Sequence, residues 1–396
     1  MRKRIDIKAI VMMLVLLGIS SCSDDSSDRP GDWQLLEMVP YTNNYQELEE
    51  GTRAEGDPYD APFGTIDGYV PYADLIPQAD AAYSTIHVFL TQGTVVNTEG
   101  DFAYHDDTKK WTSSVWMEEA GTTYHVYGYM SPKAVNEAIL VPNGNSFENK
   151  AILYLNGLNG ITPVDVCVVT GVKGLTKADF TNNVIKPISE SGIEVGKFAY
   201  TSHEKLSEVG VADENKGNYI YLLLDHLYTC LNLKFQVSAQ YSKLRKIKLR
   251  KVELGVEARE AYNAKVTING SQLDVNYTAT GTSSTRTAVV FDRTRMSEGL
   301  EIPTTTPLNV PGYFSPKVGN SFVITTTYDV FDKKDNLIRA NQTAVNHLTP
   351  ANLGITGSEH THERGKVHPL SLIIEPTYLY QLSDADLDNP TIRVGS

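Results

Sequence analysis

From Thr85 onward the apolar residues recur at every second position, and turn-forming residues interrupt them about every eight to twelve positions. That period belongs to strands whose side chains alternate between a core face and a solvent face. Helical spacing is scarce, so the pattern predicts an all-β sandwich or barrel. A chain of 396 residues is long for one sandwich, and two domains of ordinary size are expected. Residues 201–218, rich in Glu, Lys and Gly, read as the boundary.

Individual strands follow from the same alternation. Residues 85–90 set Ile86, Val88 and Leu90 on one face. Residues 102–104, a turn over 105–110 and residues 111–116 read as a hairpin, and 124–130 follow with tyrosines on alternate positions. Residues 164–169 are expected to close the first β region. The second opens with 219–227, then places Leu231, Leu233, Phe235 and Val237 on one face. Ile247 and Leu249 share a parity that Val252 and Leu254 lose by an odd step, which predicts a bulge or turn near Arg250. The interleaved Lys243, Arg245, Lys246, Lys248, Arg250 and Lys251 are expected to form a solvated basic face, with a charge-complementary patch for a neighbouring subunit as the alternative. Residues 321–330, a turn over 332–336 and residues 337–345 read as another hairpin, and 370–374 as a closing strand.

The first residues are of another kind. Arg2, Lys3 and Arg4 precede an apolar run of about ten residues, the length of a signal-peptide core and too short to span a bilayer. The run ends at Ile19-Ser20-Ser21-Cys22, which resembles a bacterial lipobox, making Cys22 the expected lipidation site. Several acyl chains anchor stably where one holds only weakly. Residues 23–28 read as a solvated acidic tether and resemble the surface-export signal of Bacteroidetes lipoproteins. A net charge of −13 argues against nucleic acid and against an anionic membrane surface as partner, so attachment is expected through the lipid on Cys22. Of three cysteines, Cys167 and Cys230 remain, expected as buried thiols with a bridge as the alternative. Residues 33–39 are apolar enough for a strand. Beyond them, Arg53 stands alone in the polar, glycine-flanked run Gly51-Thr52-Arg53-Ala54-Glu55-Gly56, open to a trypsin-like protease, whereas Pro30 shields Arg29.

Candidates for chemistry are weak. His360, His362, Glu363 and His368 form a histidine cluster, but Gly357, Ser358 and Gly365 mark a loop without three fixed ligands. Asp384, Asp386 and Asp388 imitate the start of a calcium loop, yet Asn389 stands where glycine is needed and Gly395 where glutamate is needed. Ser202-His203-Glu204-Lys205 fits Ser-x-x-Lys without the Lys-Thr-Gly partner motif. No catalytic residue, metal or cofactor is expected. The 22 tyrosines and three tryptophans suit either cross-strand pairs or a sugar-stacking platform, the latter pointing to a glycan-binding surface lipoprotein as the alternative.

The order of parts, with a lipobox at Cys22, a cuttable Arg53 and two β regions, resembles the fimbrillin family, the lipoprotein-derived type V pilins of Bacteroidales. Asp101-Phe102-Ala103-Tyr104, Lys109-Lys110-Trp111-Thr112-Ser113-Ser114 and Tyr124-His125-Val126-Tyr127-Gly128-Tyr129 are similar to its first-domain hairpin region. Asp225-His226-Leu227 leading into 231–237 is similar to its second-domain opening, and 376–390 to its closing stretch. The resemblance implies a signal peptide (1–21), a propeptide (22–53) and two tandem transthyretin-like β-sandwich domains (54–212 and 213–396). It further implies a surface-exposed outer-membrane lipoprotein, cut by a trypsin-like protease between Arg53 and Ala54 and then built into a fimbrium with other fimbrial subunits. The lost segment would leave a groove for a strand of the next subunit. Trp33, Leu35, Leu36 and Met38 are the displaced-strand candidates, worth about 6 to 15 kcal/mol of burial. Leu372, Ile374, Tyr378, Tyr380, Ile392 and Val394 are the donor candidates, although Pro376 and Pro390 work against strand pairing there. The presence of Arg53 favours a stalk or tip subunit over an anchor.

Overall fold

Every regular element among the described residues is a strand, apart from two single-turn 3-10 helices at Tyr241–Lys243 and Pro350–Leu353. The computed structural model describes residues 34–43, 46–47, 69–71, 85–105, 110–113, 115–117, 120–131, 135, 137–174, 180–181, 184–185, 192–202, 218–354, 362–378 and 385–395. Residues Gln34–Ser396 make one compact unit, and Met1–Trp33 a second that lies outside the described residues.

Among the described residues there are five sheets, four of them large and one a two-stranded pair of Phe180–Thr181 with Val184–Ile185. The first has ten strands, with Gln34–Asn43, Asn218–His226, Cys167–Gly174, Thr123–Ser131, Thr85–Gln92 and Val95–His105 side by side along its middle. The second has four, with Lys150–Leu158 and Ala261–Asn269 at its centre. The third has six, running through Leu308–Phe314, Thr229–Val237, Lys366–Tyr378 and Gln46–Glu47, with Ala385–Val394 also on the 366–378 strand. The fourth has five, centred on Lys246–Ala258 and Phe322–Phe331. The buried apolar faces of all four meet in a single core.

Alternation placed the central strands correctly. Ile86, Val88 and Leu90 are fully buried, as are Leu231, Leu233 and Phe235. The 246–258 strand shifts register between Leu249 and Lys251 against the 322–331 strand, the bulge that the parity break predicts. The hairpin of 322–331 with Leu337–Leu348 forms across the turn at Asp332–Asn336. Both Cys167 and Cys230 are buried free thiols.

Three local expectations are corrected. The strand expected over 164–169 begins only at Cys167. Before it, the Thr162 hydroxyl bonds the backbone of Val164, and the Asp165 carboxylate accepts from the Val166 amide, which draws these residues out of the ladder. Trp116 does not extend the hairpin of 95–105 with Lys110–Ser113 but pairs with Leu35. The basic stretch is no bare solvated face, because it is paired within the chain. Lys248 lies 2.5 Å from Glu298, Arg245 2.7 Å from Asp388, Lys246 2.7 Å from Asp335 and Lys251 2.9 Å from Glu253.

Strand pairing crosses position 212 repeatedly. The 218–226 strand pairs with 167–174, the 150–158 strand with 261–269, and Ile161–Thr162 with 308–314. The two-domain division at 212 stays an expectation.

Candidate strand-exchange site

The segment ahead of Arg53 is built into the sheets. Residues 36–42 run parallel to 218–224 over seven residue pairs, from Leu36 opposite Asn218 to Thr42 opposite Leu224. The expected strand over 33–39 thus becomes Gln34–Asn43. Among the described residues its other edge pairs near its ends, with Trp116–Met117 beside 34–35 and Tyr69–Pro71 beside 41–43, and the Leu36 amide donates to Val115 O at 2.8 Å. Pro40, which has no amide to donate, falls between those clips. Among the described residues the strand is therefore bonded along one side and pinned near two points on the other.

The strand it lies on is apolar on both faces. Ile220, Tyr221, Leu222, Leu223 and Leu224 are all fully buried. Stripping away 34–43 would turn this strand into a bare edge, with unpaired backbone groups between apolar surfaces, a configuration that demands a replacement strand. Leu36 itself is fully buried in the core. Further on, Gln46 and Glu47 pair in parallel with Lys366 and Val367, so the same segment reaches the third sheet.

The remaining candidates fall as follows. Leu35 stands opposite Trp116, and Met38 opposite Ile220. Cys22, Trp33, Arg53, Ala54 and Tyr380 lie outside the described residues. Leu372 and Ile374 are fully buried on the 366–378 strand, which pairs with 230–237 on one side and with 385–394 on the other. Tyr378 ends that strand opposite Ala385. Ile392 is buried and Val394 half-buried on the 385–394 strand, which pairs with 366–378 alone among the described strands. Its hold is specific: Tyr241 Oη donates to Leu387 O at 2.7 Å, Tyr328 Oη to Pro390 O at 2.9 Å, and Asn346 Nδ2 to Ile392 O at 2.8 Å.

The other clusters have structural settings. His362 and His368 are buried with Nδ1 and Nε2 3.4 Å apart, while their outer nitrogens face Gly319 O and Leu353 O; His360 lies outside the described residues. Ser202 Oγ is tied to the backbone of Thr122. Asp388 is held by Arg245. Among the described residues no exposed large apolar side chain is aromatic, and seven tyrosines are among the largest fully buried side chains, so no sugar-stacking platform stands out there. One grouping that sequence reading missed is Asp165, Cys167 and His226, fully buried together. Sequence spacing could not find it, because Cys167 and His226 are 59 residues apart.

No family model matches the chain, and no curated protein matches it. Several solved structures are similar to the chain. A candidate cell adhesion protein of Bacteroides fragilis is 10% identical, with 91% of this chain and 97% of that chain covered at a TM-score of 0.40. A fimbrial protein of Bacteroides vulgatus is 11% identical, with 90% and 98% covered at 0.30. A fimbrial anchor protein of Porphyromonas gingivalis is 9% identical, with 90% and 97% covered at 0.22. The solved structures that this all-β chain is similar to thus include cell adhesion and fimbrial proteins from Bacteroidales.

Proposed function

We propose that this chain is a structural subunit of cell-surface fimbriae, exported as a lipoprotein through Cys22 and cut between Arg53 and Ala54. Subunits then join by strand exchange, in support of adhesion. The observation that carries this reading is the seating of residues 34–43 and 46–47. They lie upstream of the cuttable arginine, yet they complete the first sheet against 218–224 and touch the third at 366–367. The ten-residue strand 34–43 spans ~33 Å when extended, a length that the ten-residue 385–394 strand can match. The edge left behind is apolar on both faces, and a strand from another subunit restores both its hydrogen bonds and its burial.

Donation is assigned to the 385–394 strand in preference to 366–378. Releasing the outer strand breaks pairing on one edge only, whereas the inner one has neighbours on both sides. Arg53 favours a stalk or tip role over an anchor that keeps its lipid. Before processing, the partners are outer-membrane lipid and a trypsin-like protease; afterwards they are other fimbrial subunits.

The test is to treat acyl-free precursor with a trypsin-like protease, sequence the new N-terminus and run the product unboiled on a denaturing gel. A start at Ala54 with a regular ladder is the expected result. Mature surface protein that still begins at acylated Cys22 would overturn it.

A further inference from the structure

We propose that Asp165, Cys167 and His226 form a buried binding site for a zinc-class metal ion. Cys167 and His226 are directly opposed across the antiparallel pair of 167–174 and 218–226, and Asp165 precedes Cys167 by two residues. The site is held from behind, because the Leu227 amide donates to Val166 O at 2.7 Å and the Val166 amide to Asp165 Oδ1 at 2.8 Å. All three potential ligand atoms lie within 4.8 Å of one another. His226 Nδ1 is 2.5 Å from Asp165 Oδ2 and 3.6 Å from Cys167 Sγ.

These separations are close to a coordination sphere. Ligands at ~2.0 Å for nitrogen and ~2.3 Å for sulfur, set tetrahedrally, stand about 3.5 Å apart, which the sulfur–nitrogen pair already matches. The oxygen–nitrogen pair must widen by about 0.8 Å, within reach of a rotation of the Asp165 side chain. The other oxygen, Oδ1, stays on the Val166 amide, so the three side chains supply three protein ligands and leave a fourth position. One sulfur, one imidazole nitrogen and one carboxylate suit zinc or cobalt(II) and not calcium or magnesium, which take oxygen sets. Thiolate and carboxylate together cancel the charge of a divalent ion, so the filled site is neutral. Neutrality matters, because the side chains of Asp165 and His226 are 0% and 2% exposed and Cys167 is fully buried. The same burial rules out a nucleophilic thiol that meets a substrate from solvent.

A bound ion would fasten the 167–174 strand to the 218–226 strand at the point where the chain turns into the third sheet. Because the ligands are enclosed, the ion enters as the chain folds and binding adds to folding free energy. The inference is independent of the fimbrial reading.

The experiment unfolds the full chain in chelator, refolds it with cobalt(II) and removes the excess. One equivalent of cobalt with a thiolate-to-cobalt charge-transfer band is expected, displaced by zinc, together with an unfolding midpoint several degrees above that of the metal-free chain. Cys167→Ser should abolish the band, while Cys22→Ser and Cys230→Ser should leave it. Asp165→Asn keeps the thiol and nearly the same shape, and should weaken cobalt binding at least tenfold. This second variant serves even where Cys167→Ser fails to fold. Absence of the band in the unmutated chain, its persistence in Cys167→Ser, or unchanged affinity in Asp165→Asn would each overturn the assignment.

Discussion

Leu36 offers the sharpest test of how residues 34–43 are held. It is fully buried, sits at the start of the parallel register opposite Asn218, and lies within the segment that processing at Arg53 would remove. Leu36→Ala removes a buried isobutyl group and leaves a cavity, at a cost of about 2 to 5 kcal/mol for such sites. A value near 3 kcal/mol is expected, because the strand is bonded along one side and can settle partly into the space. That corresponds to about two decades in the equilibrium between seated and released strand. Urea denaturation of the precursor gives the number, and Leu337→Ala provides the control. Leu337 is 54% exposed, so the same substitution there should stay within about 0.5 kcal/mol. Protease treatment adds a second arm. Once the segment has been cut and released, the Leu36→Ala and unmutated products are the same molecule and their difference should vanish. A Leu36→Ala effect no larger than that of Leu337→Ala would refute the account of the strand as a core element.

Two further outcomes follow from packing and from proton linkage. Gly128→Ala should destabilise the fold by about 1 to 3 kcal/mol in chemical denaturation, because the added Cβ would meet His87 O at 2.3 Å and backbone cannot step aside. Burial pushes Tyr129 up to about 12, helped by Asp101 and Glu99, and burial alone pushes Tyr328 up to about 12. Both folded values exceed that of the unfolded chain, so this stability is complete below about pH 10 and is lost as pH rises toward 12. An absorbance titration should show these tyrosines ionising together with unfolding, and smooth ionisation of a folded chain would contradict it.

Much of the local structure was legible in the residues. The alternation of Ile86, Val88 and Leu90 identified a strand and its inward face, and the parity break around Arg250 identified a bulge. The regions where reading failed are those where side chains bond their own backbone, as at Thr162 and Asp165, or where a distant strand competes for a partner, as at Trp116. In both cases a long-range or side-chain bond replaced the local ladder that alternation assumes.

By itself the sequence determined that the chain is all-β, which face of each central strand is apolar, and that a segment with an exposed-looking arginine follows a lipobox-like cysteine. Tertiary structure alone decided the neighbours: that 34–43 lies parallel to 218–226, that 150–158 pairs with 261–269, and that Asp165, Cys167 and His226 converge. The physical reason is that a period of two specifies the faces of a strand but not its edges. Backbone hydrogen bonds are the same for any pair of strands, so the partner is selected by how all the apolar faces close together over one core.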